Sequence, residues 1–255
     1  MLETVRNAFK LKEIRSRIIY TLLMLVVVRI GTQLPVPGVN GSYFSEWFSG
    51  NSGSAFGFFD AITGGSFEKM SVFALNITPY ITSSIIIQLL TIAIPKLEEL
   101  QKDGEEGRKK MTAITRYLTV ALALMESLAM AIGFGRSGLL IKFNALNVIT
   151  AVVTLTAGST VIMWIGERIT ENGVGNGISI VLTINIISRI PQDLTLLFEQ
   201  FVKGKEIAFQ VLNLAIIIAI IIIVTVLTVA LQGAERRIPV QYSRKVQGRK
   251  QVGGQ

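Results

Sequence analysis

The side chains able to do chemistry in this sequence are carboxylates, hydroxyls, amides and cations. Its 255 residues contain no cysteine and no histidine. That removes disulfides, thiolate metal sites and thiol nucleophiles. It also removes the commonest general base and the commonest metal ligand. A serine–histidine dyad and a histidine-held zinc are therefore excluded. An aspartyl protease working inside a membrane needs two facing aspartates, but Asp60, Asp103 and Asp193 all fall outside the long apolar runs. No GxxxxGK[ST] stretch occurs, and GVGNG (173–177) is too short and wrongly placed for a nucleotide loop. Two charges do sit within apolar runs, Arg29 and Glu126. Intramembrane charges usually face a bundle interior and carry a function or a partner. Arg29 is near the end of its run, where it can also snorkel. Glu126 is in mid-run, so it is either neutral or paired.

The elements that must position these residues are membrane helices. Half of the residues are hydrophobic, 16% are charged, and the mean hydropathy is +0.54. A soluble domain would carry about a quarter charged residues, and a disordered chain would be far less apolar. A spanning helix needs about 20 mostly apolar residues. Six stretches are expected to span: 18–34, 72–94, 117–134, 148–166, 177–190 and 211–231. The fifth is short, ending before Pro191. The first is too long for a cleaved signal peptide, and PVPG follows it rather than a small-x-small cleavage site. Eighteen of the 25 Lys and Arg residues fall before the first span, in 95–116, at Arg168 or after the sixth span; six fall in the alternate loops or, for Arg189, at the outer end of the fifth span. By the positive-inside rule, both termini are expected in the cytoplasm. Residues 1–17, with Leu2, Val5 and Phe9 among basic residues, read as a short cytoplasmic interfacial helix.

The apolar runs are not all alike. The sixth is almost unbroken aliphatic sequence and is expected to face lipid. The second carries Asn76, Thr78, Thr82, Ser83, Ser84 and Gln88, and Pro79 removes a backbone donor in it. Broken helices survive in lipid only against protein or a wet cavity. This run is expected to face the interior, either as a wall of a pathway or as a kinked packing helix. Ahead of it, in the external loop 35–71, lies a Gly- and Phe-rich stretch from 49 to 71. It reads either as a half-helix re-entering from outside or as an interfacial loop. The charged stretch 95–116 and the basic segment 232–255 read either as solvated cytoplasmic loops or as docking surfaces. A secondary transporter would also fit broken helices and Glu126, although such a site should gather polar groups at mid-membrane.

Five stretches together carry a resemblance: RIGTQLPVPG (29–38), DAITGGSFEKMSVFALNITPYITSSIIIQLLTIAIP (60–95), GEEGRKKMTAITRYLT (104–119), MWIGERITENGVGNGISI (163–180) and ERRIPVQYSRKVQGRKQVGGQ (235–255). The sequence resembles the SecY family, the channel subunit of the bacterial protein translocon. The family has ten spans in two inverted five-helix halves. The resemblance therefore implies an all-α, polytopic membrane helix bundle: the first half plus the sixth span, with the sequence stopping inside the following basic loop. It implies an apolar pore ring at Ile77, Ile81, Ile178 and Leu182. It implies a plug containing Phe58, Phe59, Asp60, Ala61, Ile62, Thr63, Gly64 and Gly65. Thr82, Ile85 and Glu126 would line a lateral gate, although the family usually carries an amide where Glu126 stands. Arg108, Lys109, Lys110, Arg236, Arg237, Arg244, Lys245, Arg249 and Lys250 would dock the ribosome or the SecA motor. Further implied partners are SecE, SecG, signal sequences, translocating polypeptides and membrane lipid, with no specific nucleic-acid sequence. The implied subunit needs no cofactor, hydrolyses nothing and resides in the bacterial cytoplasmic membrane.

Overall fold

The computed structural model describes residues 11–51, 55–204, 207–235, 245–247 and 250–252. They form two compact units, Met1–Pro191 and Gln192–Gln255. In the first unit the helices are α1 (Lys12–Gly31), α2 (Gly41–Asn51), α3 (Ala55–Thr63), α4 (Thr78–Ala93), α5 (Pro95–Lys102), α6 (Gly104–Gly133) and α7 (Ala145–Asn172). Helix α8 (Gly177–Phe201) begins there and runs on through Pro191 into the second unit. That unit also holds α9 (Ile207–Gln232) and a short antiparallel pair, β1 (Lys245–Gln247) with β2 (Lys250–Val252).

Among the described residues, four helices are long and apolar enough to cross a membrane: α6, α7, α8 and the Phe209–Gln232 part of α9. A fifth candidate is α4 with α5, bent by 105° where Pro95 opens the second helix. Leu22, Leu23, Val26 and Val27 of α1 are exposed, as are most of the aliphatic residues of α9 from Val211 to Leu231 that carry its apolar run. Exposed apolar surface on this scale needs a lipid or protein covering. The chain is thus a multi-pass membrane helix bundle. Lipid tails are as apolar as leucine, so the helices associate through close packing and interhelical hydrogen bonds.

Small residues make that packing possible. The buried face of α6 repeats at four-residue intervals through Thr115, Thr119, Ala123, Ser127 and Ala131. Helix α6 packs on α4, α5 and α7. The Ser127 and Thr156 hydroxyls are hydrogen-bonded at 3.0 Å. In α7, a Cβ added to Gly158 would lie 2.0 Å from the Val72 carbonyl oxygen, so only glycine lets that backbone approach.

The element ends differ from hydropathy in instructive ways. The second apolar run becomes helical only at Thr78, and residues 72–77 form successive turns. Pro79 therefore lies in the first turn of α4. There a missing N–H leaves no intrahelical bond unmade, so Pro79 starts the helix rather than kinking it. The charged stretch 95–116 is largely helical, as α5 and the opening turns of α6. Hydropathy marks only the lipid-length part of a helix; α6, with 30 residues, is about 45 Å long and extends well beyond it. For the same reason the fifth run, 177–190, lies within a 25-residue helix. Residues 12–17 belong to α1 rather than to a separate helix, while residues 1–10 lie outside the described residues.

Candidate functional site

Helix α8 starts where it does because Asn176 caps it. The Asn176 Oδ1 accepts from the Ile178 N–H at 3.0 Å and the Ser179 N–H at 3.3 Å. The Gly177 N–H donates to Thr170 Oγ1 at 2.9 Å, fastening the start of α8 to α7. The preceding turn rests on α1, where the Val174 N–H donates to Thr21 Oγ1 at 3.2 Å. This cap fixes the register of Ile178 and Leu182.

Those two residues and Ile77 and Ile81 meet in one apolar cluster. Its buried members are Val28, Phe73, Ile77, Ile162, Ile165, Ile169 and Val181. Ile81, Ile178 and Leu182 are half-buried against it. Ile77 is fully buried at the cap position of α4. The four residues expected to share an apolar site do converge, from the start of α4 and the start of α8.

The segment expected to act as a plug is held nearby. Helix α3 is followed by Gly64 and Gly65, at φ 69° and 79°, a left-handed turn that glycine adopts without strain. Phe58 is exposed, whereas Phe59 stacks edge-on against Phe67 with ring centroids 5.0 Å apart. Phe67 in turn meets Phe44 and Phe48. Asp60 and Thr63 are buried, and Ala61, Ile62, Gly64 and Gly65 are half-buried. Asp60 forms an ion pair with Arg189 of α8 and accepts from the Glu68 N–H at 2.8 Å. Arg189 also lies 3.8 Å from the Glu68 carboxylate.

A second polar chain crosses the same region. Arg29 of α1 donates to Asn185 Oδ1 at 3.4 Å, and Asn185 Nδ2 donates to Asn76 Oδ1 at 3.2 Å. Asn76 Nδ2 donates to the Ile62 carbonyl at 3.4 Å, and Ser159 Oγ donates to the Asn76 carbonyl at 3.0 Å. Asn76 has φ 51°, a conformation in which asparagine is enriched. Arg29 is thus a partner in a buried network. Sequence reasoning did not single out Asn185 or Arg189 as site residues. The available signals were an amide inside the apolar run ISIVLTINII and a cation just before Pro191.

The residues expected at a lateral gate are not gathered in one cavity. Glu126 lines a cavity of about 400 Å³ with Phe59, Phe67, Leu75, Met130 and Phe134. Thr82 is half-buried and Ile85 exposed on α4, and neither lines it. Among the expected docking residues, Arg108, Lys109 and Lys110 are exposed on the first turns of α6. Lys245 and Lys250 lie in the β pair, paired with Val252 and Gln247. Arg236, Arg237, Arg244 and Arg249 lie outside the described residues.

Comparison with known proteins places this arrangement. The SecY family model matches residues 71–255. The protein translocase subunit SecY of Streptomyces scabiei is 41% identical over 268 residues, covering 100% of this chain and 60% of that protein. The same-named subunit of Thermotoga maritima is 38% identical over 263 residues, covering 100% and 59%. The chain therefore spans about 60% of the length of these curated relatives. Among solved structures, Sec61 in the canine ribosome–channel complex from the endoplasmic reticulum aligns at TM-score 0.56 and 19% identity, covering 89% of this chain and 49% of that one. A structure of a protein-conducting channel aligns at TM-score 0.50 and 19% identity, covering 79% and 41%. Those two likenesses speak for the fold.

Proposed function

The chain belongs to the SecY family, and from that premise we propose that it builds the N-terminal part of a channel subunit for polypeptides. The channel moves secretory chains across the bacterial cytoplasmic membrane and releases membrane proteins sideways into lipid. The observation that carries this reading is the convergence of Ile77, Ile81, Ile178 and Leu182 on one apolar cluster beside the α3 segment. Branched aliphatic side chains seal a constriction against ions by dewetting, yet yield around a passing chain. On this reading, the 58–65 segment closes the path at rest. Thr82, Ile85 and Glu126 stand on the side where a signal sequence's apolar helix partitions into lipid.

Conduction is passive. The push comes from translation or from the SecA motor, and SecE and SecG complete the channel. The basic turns at Arg108, Lys109 and Lys110, with the 232–255 segment, receive the ribosome or the motor. The asymmetry of basic residues supports cytoplasmic placement of both ends of this chain. The resting state need lie only a few kcal/mol below the open one for a partner to shift it.

The test is import by vesicles bearing this chain joined to the C-terminal remainder of a relative, with the partner subunits. A secretory precursor should become protease-protected only when motor and ATP are present. Uptake of a small solute with no polypeptide present, and no precursor import, would replace the proposal with a transporter.

A further inference from the structure

We propose that the Asp60–Arg189 ion pair is the latch that holds the 58–65 segment in its resting seat on α8. The inference rests on the plug reading above and assigns the residues that fix where the segment seats. Asp60 is fully buried on α3, and Arg189, on α8, is the cation that meets it. The segment is seated closely as well: a Cβ added to Gly64 would lie 2.7 Å from the Asn185 carbonyl oxygen. The Ile62 carbonyl is held by Asn76, which is held by Asn185. Among the described residues, two polar ties therefore join this short segment to one helix, and the Asp60–Arg189 pair is the charged one.

The physics of such a pair suits a latch. Burying two charges costs desolvation that their attraction roughly repays, so the pair adds little net stability while fixing one geometry. When the segment swings out into water, both charges rehydrate, and the cost of opening stays modest. Removing one partner has a different effect, because the other charge is left buried without compensation.

The surroundings make the two partners unequal. Without Arg189, the Asp60 carboxylate keeps the Glu68 N–H at 2.8 Å but loses its cation, with the Glu68 carboxylate close by. Without the Asp60 charge, Arg189 still has the Glu68 carboxylate at 3.8 Å. Arg189→Gln should therefore unseat the segment more than Asp60→Asn does. The double variant, with no charge stranded at position 60, should be tighter than Arg189→Gln alone.

The experiment is ion leak through the completed, partner-bound channel reconstituted in lipid vesicles with no substrate. Deletion of residues 55–65 serves as the control for the plug reading. We expect the deletion to leak, Arg189→Gln to leak about tenfold or more above wild type, Asp60→Asn to leak less, and the double variant to fall below Arg189→Gln. A leaking deletion with a tight Arg189→Gln overturns the latch and leaves the plug reading standing. A double variant as leaky as Arg189→Gln also overturns the latch. A deletion that does not leak overturns both. Should Arg189→Gln fail to accumulate in the membrane, Asp60→Asn carries the test alone, and a leak equal to wild type overturns the latch.

Discussion

Replacing Asn185 with leucine keeps the side chain's size and removes its hydrogen bonding. Asn185 is fully buried and bridges Arg29 at 3.4 Å and Asn76 at 3.2 Å. Both bonds are long, so they belong at the modest end of the range for charged and neutral pairs. Interhelical hydrogen bonds in membrane bundles contribute about 0.6 kcal/mol on average, with about 1.7 as the upper end. Losing two such bonds predicts a destabilisation of about 1 kcal/mol. Asn185→Asp should cost less, because a carboxylate still accepts from Arg29. Reversible unfolding in mixed detergent micelles measures both. The network also predicts coupling: Asn76→Leu should cost less in the Asn185→Leu background than in wild type. If Asn185→Leu is as stable as wild type, or the two substitutions add without coupling, the polar chain from Arg29 of α1 through Asn185 to Asn76 is not an energetic unit.

Three further outcomes follow from packing and exposure. Gly158→Leu should destabilise by at least about 1–3 kcal/mol, since its Cβ would meet the Val72 carbonyl at 2.0 Å and the backbone must move; thermal unfolding would reveal it. Phe67→Ala should cost about 3–5 kcal/mol, because the ring is buried against Phe44, Phe48 and Phe59, whereas Phe58→Ala at an exposed position should stay within about 0.5 kcal/mol. Reversing Arg108, Lys109 and Lys110 to glutamate should leave helix content unchanged by circular dichroism. On the proposed docking role, it should weaken binding of the ribosome or motor in a salt-dependent way.

Periodicity and hydropathy make the long helices legible, because a lipid-facing helix must be apolar wherever it meets lipid. The resemblance brings out Ile77, Ile81, Ile178 and Leu182, and these do share a cluster. What hydropathy misses lies where a helix leaves lipid or where charges pair across the fold. Pro79 reads as a break within a run, yet it stands in a first turn, because residues 72–77 satisfy their backbone in turns instead. The 95–116 stretch reads as a loop for its charges, although charged residues on an exposed helical face cost nothing. Arg189 counts as one more loop cation until the fold sets it against Asp60, far away in sequence. Asn185 is one amide in an apolar run, and only the fold brings Asn76 and Arg29 to it. Single-residue charge and polarity locate such groups but do not pair them.

The central claim is that Ile81 lies on a polypeptide's path. The chain has no cysteine, so Ile81→Cys gives a single thiol in this part of the subunit. A secretory chain with one cysteine would be stalled at several lengths in the completed channel and tested for a disulfide to position 81. The account predicts a crosslink that appears only with a functional signal sequence and moves with stall length. Verified insertion with no crosslink at any stall length would contradict it.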